Sequence, residues 1–262
     1  MTVAIRFDHV TKVYRLHKQQ PFLAREILRN LLQRPSSIEE HMALREASFE
    51  IQQGESVAVV GRNGAGKSTL LSMVAGTVYP TSGKVTVVGR VGPLLELGAG
   101  FHSDLTGREN IRLNGVLLGL SPEQVDARYD DIAEYAELGT FIDAPISTYS
   151  VGMRARLGFS VIAHLDPDVL ILDEVLGVGD ARFKEKCTKT LRELHAQGKT
   201  IFVVSHSVRP LKELCNKALW IEQGQVRAFG KAEEILPLYE GFMTGKTELP
   251  PPISKANESS VR

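Results

Sequence analysis

Few backbones accept the run Gly61-Arg62-Asn63-Gly64-Ala65-Gly66-Lys67-Ser68 directly after the apolar stretch Ser56–Val60 and directly before the helical pattern at 69–75. The run matches GxxxxGK[ST], whose mechanism needs a buried strand before it and a helix after it. A glycine-rich turn that merely contains a lysine needs neither. Glycines let the backbone curl until its N–H groups point inward at phosphate oxygens, and the following helix N-terminus adds a favourable dipole. Candidate phosphate-binding residues are therefore Gly61, Asn63, Gly64, Ala65, Gly66, Lys67, Ser68 and Thr69, with Lys67 placing a charge on the outer phosphates. The Ser68 hydroxyl would face Mg²⁺. A strand, a phosphate loop and a helix in this order point to an α/β fold.

Breaking a phosphoanhydride also requires a carboxylate for the metal and a group that orients water. Both stand at the end of the buried run 169–172, as Asp173 and Glu174. Asp173 would hold Mg²⁺, through water, and Glu174 would polarise the attacking water. An acidic pair at a strand end is ordinarily just solvated; after a phosphate loop earlier in the same chain the catalytic reading prevails.

Apolar patterning divides the rest. Segments 3–13 and 44–51 read as strands; 200–204 reads as a second buried strand and 181–197 as a helix stopped at Gly198. A hairpin is expected from 218–222 and 225–229 around Gln223-Gly224, and a last helix at 232–239. Residues 106–165 turn helical, with Ser121-Pro122-Glu123-Gln124 as an N-cap and first turn. Between the first two strands, 21–35 carries Phe22, Leu23, Ile27, Leu28, Leu31 and Leu32 on one helical stripe bracketed by prolines. Three consecutive prolines and then Ser, Lys, Asn and Glu predict a disordered tail over 241–262, after a folded unit at 1–240.

Composition sets the compartment and narrows the partners. Of the 262 residues 43% are apolar and 24% charged, as in a soluble globular protein. Lys plus Arg equals Asp plus Glu at 31 each, which argues against a nucleic-acid partner. Only Cys187 and Cys215 are present, without metal-ligand spacing, which suits a reducing compartment. No run approaches the ~20 apolar residues that a membrane span needs, so a membrane path would have to come from another chain.

The remaining motifs separate the phosphate-loop proteins. Tyr149-Ser150-Val151-Gly152-Met153, ahead of a helical stretch and then the Asp-bearing strand, resembles the signature motif of ABC ATPases. Gly177-Val178-Gly179-Asp180 is similar to their D-loop, Ser205-His206 to their switch histidine, and Tyr14 to the A-loop aromatic that stacks on adenine. The resemblance implies a RecA-like core with an antiparallel β-subdomain and a helical subdomain over 106–165. It further implies ATP and Mg²⁺ as ligands, Glu174 and His206 as catalytic groups, and a homodimer in which each signature closes over the partner's nucleotide. Ser150 and the Gly152 N–H would then donate to the γ-phosphate, with Asp180 beside them. Two departures stand out. Val151 and Met153 replace the usual Gly and Gln, and the Q-loop glutamine is missing, with Glu96 the nearest substitute.

Those departures, with Leu94-Leu95-Glu96-Leu97-Gly98-Ala99-Gly100-Phe101-His102 and Leu105-Thr106-Gly107-Arg108-Glu109-Asn110, resemble the ATPases that export bacterial surface polysaccharides. That resemblance implies a lipid-linked O-antigen, teichoic acid or cell-wall glycan as cargo, two copies of a separate integral-membrane permease as partner, and a place on the cytoplasmic face of the inner membrane. The 21–35 stripe would be an inserted helix near the channel entrance, or a helix packed on its own β-lobe. No glycan-reading C-terminal module is expected. The alternatives are a capsule exporter or an importer of the same fold, and a soluble ABC ATPase of translation or DNA repair.

Overall fold

The computed structural model describes residues 2–16, 39–94, 100–173, 180–205 and 208–253. Its strands are β1 (Val3–Leu16), β2 (Glu39–Gln52), β3 (Ser56–Val60), β4 (Ser82–Val87), β5 (Val91–Leu94), β6 (Val169–Asp173), β7 (Thr200–Val204), β8 (Lys217–Glu222) and β9 (Gln225–Lys231). The first sheet is antiparallel, in the order β2-β1-β4. The second has the order β5-β6-β7-β3-β8-β9, parallel from β5 through β8 and closed by the antiparallel β8–β9 hairpin. Strands β3 and β7 are buried along their whole length, which is why their sequences, SVAVV and TIFVV, are apolar runs with no alternation.

Two apolar layers flank the parallel sheet. One joins it to the antiparallel sheet through Phe7, Phe49, Leu70, Leu71, Phe202 and Ile221, with the Phe7 and Phe49 rings stacked at 4.6 Å. The other packs α5 (Val151–His164), α6 (Ala181–Ala196), α7 (Val208–Leu214) and α8 (Ala232–Met243) on the far face around Phe159, Leu191, Leu211, Trp220 and Leu236. The phosphate loop feeds α1 (Lys67–Val74). A third core, around Ile111, Ile132, Leu157 and Val161, belongs to the helical lobe built from α2 (Gly107–Leu117), α3 (Pro122–Asp126), α4 (Tyr129–Ala136) and the outer face of α5.

Local chemistry sets the lobe's helix starts. Ser121 and Gln124 form a reciprocal capping box on α3 with Pro122 in the first turn, as the sequence predicts, and Thr106 and Glu109 form another on α2. Strands β4 and β5 were not foreseen: Gly83 interrupts one and Gly92-Pro93 the other, and only their neighbours make them strands.

The expected disordered tail needs correction. Helix α8 runs to Met243, past the expected limit at 240. Beyond it Leu249 packs on the second core, and the Ile253 N–H donates to the Val226 carbonyl at 2.9 Å. The open edge of β9 supplies what the composition argument left out, a partner for backbone that cannot fold alone. Residues 254–262 and the 21–35 stripe lie outside the described residues. Among the described residues no helix is long and apolar enough to cross a membrane.

Candidate nucleotide site

One pocket of about 490 Å³ opens at the C-terminal ends of β3, β6 and β7, where ligands bind such sheets. Tyr14, His41, Ala43, Asn63, Gly64, Gly66, Lys67, Ser68, Thr69, Asp173 and Val204 line it. The loop between β3 and α1 is fixed by backbone. Gly66 has φ 107, and a Cβ there would lie 2.5 Å from the Ala43 carbonyl oxygen. A Cβ on Gly61 would overlap the Ile221 carbonyl oxygen. Gly224 donates its N–H to Ala65 O at 3.0 Å, and the Arg62 N–H reaches the buried Glu222 carboxylate at 3.3 Å. Gly61 and Ala65 thus shape the loop from behind, whereas Asn63, Gly64, Gly66, Lys67, Ser68 and Thr69 face the pocket.

The Lys67 ammonium donates to the carbonyls of Gly61 at 2.7 Å and Arg62 at 3.0 Å, so it is folded over the loop it serves. Helix α1 starts on Gly66 in the left-handed conformation, with no side-chain cap and no acidic residue in its first turn. The first N–H groups of any helix have no intrahelical acceptor, and an anion suits both them and the dipole. The Ser68 hydroxyl and the Asp173 carboxylate share this pocket. Among the described residues no group of three or more His, Cys, Asp or Glu could cage a metal. Two hard oxygen donors beside a phosphate cradle suit Mg²⁺, which keeps waters and takes phosphate oxygens as further ligands.

At the other end of the pocket Tyr14 on β1 pairs directly with His41 on β2. The Lys12 ammonium lies 5.0 Å from the Tyr14 ring centroid and donates to the Tyr79 carbonyl at 2.8 Å.

The signature residues stand elsewhere. Ser150 is the N-cap of α5, its hydroxyl accepting from the Met153 N–H at 3.2 Å, and neither Ser150 nor Gly152 lines the pocket. Tyr149 is buried and donates to the Phe141 carbonyl at 2.5 Å; burial pushes its hydroxyl up to about 12. Asp180 caps α6 by accepting from the Phe183 N–H at 2.9 Å, and it pairs with Arg156 of α5. Those two bonds, the backbone one foremost, hold its carboxyl below the usual range. Arg156 also reaches Glu137 at 3.3 Å and lies over the Phe183 ring at 4.7 Å, while Lys186 reaches Glu137 at 2.8 Å. The result is an ionic chain across α4, α5 and α6, with Arg156 and Lys186 partly buried and the two carboxylates exposed. Burial pushes both thiols, Cys187 and Cys215, up to about 12, and neither lines the pocket.

Glu96, Glu174, the 177–179 part of the expected D-loop and His206 lie outside the described residues. Their neighbours Asp173 and Ser205, at the ends of β6 and β7, are in place beside the phosphate loop. The sequence reading missed His41, Ala43 and Val204. Val204 could have been found as the last residue of a buried strand ending at the same edge. His41 needed the β1–β2 register. Arg156 needed the lobe's packing.

The family model for ABC transporters matches residues 44–177. The O-antigen export system ATP-binding protein RfbB of Klebsiella pneumoniae is 47% identical over 253 residues, covering 93% of this chain and 100% of that protein. The teichoic acids export ATP-binding protein TagH of Bacillus anthracis is 42% identical over 243 residues, covering 93% of this chain but 43% of that protein. Among solved structures, a dimeric ATP-binding cassette in a post-hydrolysis state bound to ADP and Pi superposes with TM-score 0.71 at 22% identity, over 87% of this chain and 98% of its own. An ATP-binding subunit of an ABC transporter superposes with TM-score 0.72 at 20% identity, over 93% of this chain and 94% of its own.

Proposed function

Since the chain belongs to the ABC transporter family, we propose that it is the ATP-hydrolysing subunit that drives export of a lipid-linked surface polysaccharide, of the O-antigen or teichoic acid kind, through a separate membrane permease. The cargo rests on the likeness, along almost the whole chain, to the ATP-binding protein of an O-antigen export system. The chemistry rests on one observation: a single pocket joins the phosphate loop, Ser68, Asp173 and Tyr14, while Ser150 and Gly152 stand outside it.

In this reading ATP lies with its base at Tyr14 and its phosphates on the uncapped start of α1. Lys67 leaves the carbonyls of Gly61 and Arg62 for the outer phosphates. Ser68 and Asp173 hold Mg²⁺, which supplies charge neutralisation at the transferred phosphoryl group. Glu174 takes a proton from the attacking water, and His206 contacts the γ-phosphate. Ser150 and the Gly152 N–H complete the site of a second copy of the chain, so two subunits enclose two nucleotides. Pairing on ATP and separation after hydrolysis give two states that can do work on the permease at the cytoplasmic face of the inner membrane.

Steady-state hydrolysis by the purified wild type and by Glu174→Gln, each run through size exclusion with and without Mg-ATP, tests the mechanism. Expected are turnover in the wild type and its loss in the variant, which shifts to an ATP-bound dimer. Equal turnover in both would reject Glu174 as the base. Restoration of O-antigen export in cells lacking their own export ATPase, with the cognate permease supplied, tests the cargo.

A further inference from the structure

The nucleotide pocket has two ends, and the sequence motifs account for only one of them fully. At the phosphate end Ala43 of β2 lies directly on the loop, its carbonyl facing Gly66. The β1–β2 register slips between the Lys12–Leu44 and Val13–Met42 pairs, which leaves Ala43 as the extra residue of a bulge, and His41 stands two residues beyond it along β2. It meets Tyr14 there. The two are direct cross-strand partners, and such pairs hold their Cβ atoms about 4.5–5.5 Å apart on one face of a sheet. Both line the pocket.

No other described residue packs a ring or a charge on the His41 imidazole. It is exposed, and among the described residues no hydrogen bond or ion pair engages it. Tyr14, in contrast, has the Lys12 ammonium 5.0 Å from its ring centroid, and that ammonium is tied to the Tyr79 carbonyl. A structural reason for a histidine at 41 is therefore absent among these contacts, and its position is the rim of the base end.

We propose that His41 is a second base-contacting residue, which together with Tyr14 forms a two-residue platform for the purine of the bound nucleotide. This rests on the ATP reading above. The imidazole offers a flat ring for stacking and a ring nitrogen for one hydrogen bond to the base edge. Tyr14 supplies area and His41 supplies area plus direction, so His41 contributes to preference for one base over another as well as to affinity.

The test is calorimetric titration of the full chain with ATP, GTP and inorganic tripolyphosphate, for the wild type, His41→Ala, His41→Phe and His41→Gln. His41→Ala is expected to weaken ATP binding about five- to tenfold and to leave tripolyphosphate binding as it was, because the lost contact is to the base. Recovery of ATP affinity in His41→Phe assigns the contact to stacking, and recovery in His41→Gln assigns it to the hydrogen bond; either supports the platform. Unchanged ATP affinity in His41→Ala overturns the proposal while leaving the ATP reading intact. So does an equal loss for ATP and tripolyphosphate, which would mean damage to the phosphate loop. A wild type that binds neither ligand overturns both readings. Exposure of the ring makes loss of folding in these variants an unexpected result, and thermal unfolding of each variant checks it.

Discussion

Two helix N-termini are offered to phosphate in this reading, and they are built in opposite ways. Helix α1 starts on a left-handed glycine with no side-chain cap, and its loop is wedged by backbone atoms of Ala43, Ile221 and Gly224. Helix α5 starts on Ser150, whose hydroxyl already caps Met153, and side chains hold it: Tyr149 to Phe141, and Arg156 to Asp180 and Glu137. Backbone clamping leaves one geometry. Side-chain anchoring leaves a helix that can be re-aimed when the anchors rearrange, which suits the pairing and release proposed above.

The contrast breaks most sharply at Lys67. Lys67→Met is expected to lower steady-state ATP hydrolysis by about 10²–10³-fold, the usual cost of removing a donor aimed at developing charge. A smaller loss would place the essential charge elsewhere in the pocket. Next comes Asn110, fully buried in the lobe. It accepts from the His102 N–H at 2.7 Å, and its two amide hydrogens are shared among the carbonyls of His102, Leu105 and Thr106 at 2.9–3.1 Å. Asn110→Ala should cost about 3 kcal/mol in urea unfolding, since it leaves several buried groups unpaired. A cost near zero would mean the lobe is not held by side chains in the way described.

Arg156 sharpens the comparison with the smallest expected effect. Arg156→Met should leave nucleotide binding by the single subunit as it was and weaken ATP-driven pairing about tenfold in the Glu174→Gln background. Its partners also set a pH dependence. Asp180 is held below its ordinary value by the Phe183 N–H and Arg156, and Glu137 is lowered mainly by Lys186. A depressed carboxylate stabilises the fold above its unfolded value, and that contribution disappears as pH falls through the lowered value. Wild-type and Arg156→Met unfolding curves are therefore expected to differ at neutral pH and to converge in acid; a gap that persists in acid would remove the ionic explanation.

The same division explains what could be read from the sequence. Glycines at 61, 64 and 66 and the apolar runs of β3, β6 and β7 encode local facts, and local facts survive in one dimension. The phosphate end and the buried strands of the parallel sheet were accordingly legible, as was the Ser121 cap of the lobe; the Thr106–Glu109 box was not read. Strands β4 and β5 exist only through their neighbours. His41 meets Tyr14 only after residues distant in the chain have been paired, and Asn110 was visible in Leu105-Thr106-Gly107-Arg108-Glu109-Asn110 without the carbonyls that give it a role. Residues 241–253 were misjudged because composition measures what a segment can bury alone, and the edge of β9 was not in that account.

The wedging of the phosphate loop has a mechanical consequence. Ala43 belongs to the antiparallel sheet and Ile221 to the parallel one, so the loop is a keystone touching both halves of the arch. Loading a keystone tightens every stone it bears on. A nucleotide that binds the folded chain and not the unfolded one adds its binding free energy to the fold, and here that energy is delivered at the seam between two sheets. A bound nucleotide is thus expected to act as a weld between the two sheets as well as a fuel, raising the thermal unfolding temperature of the chain.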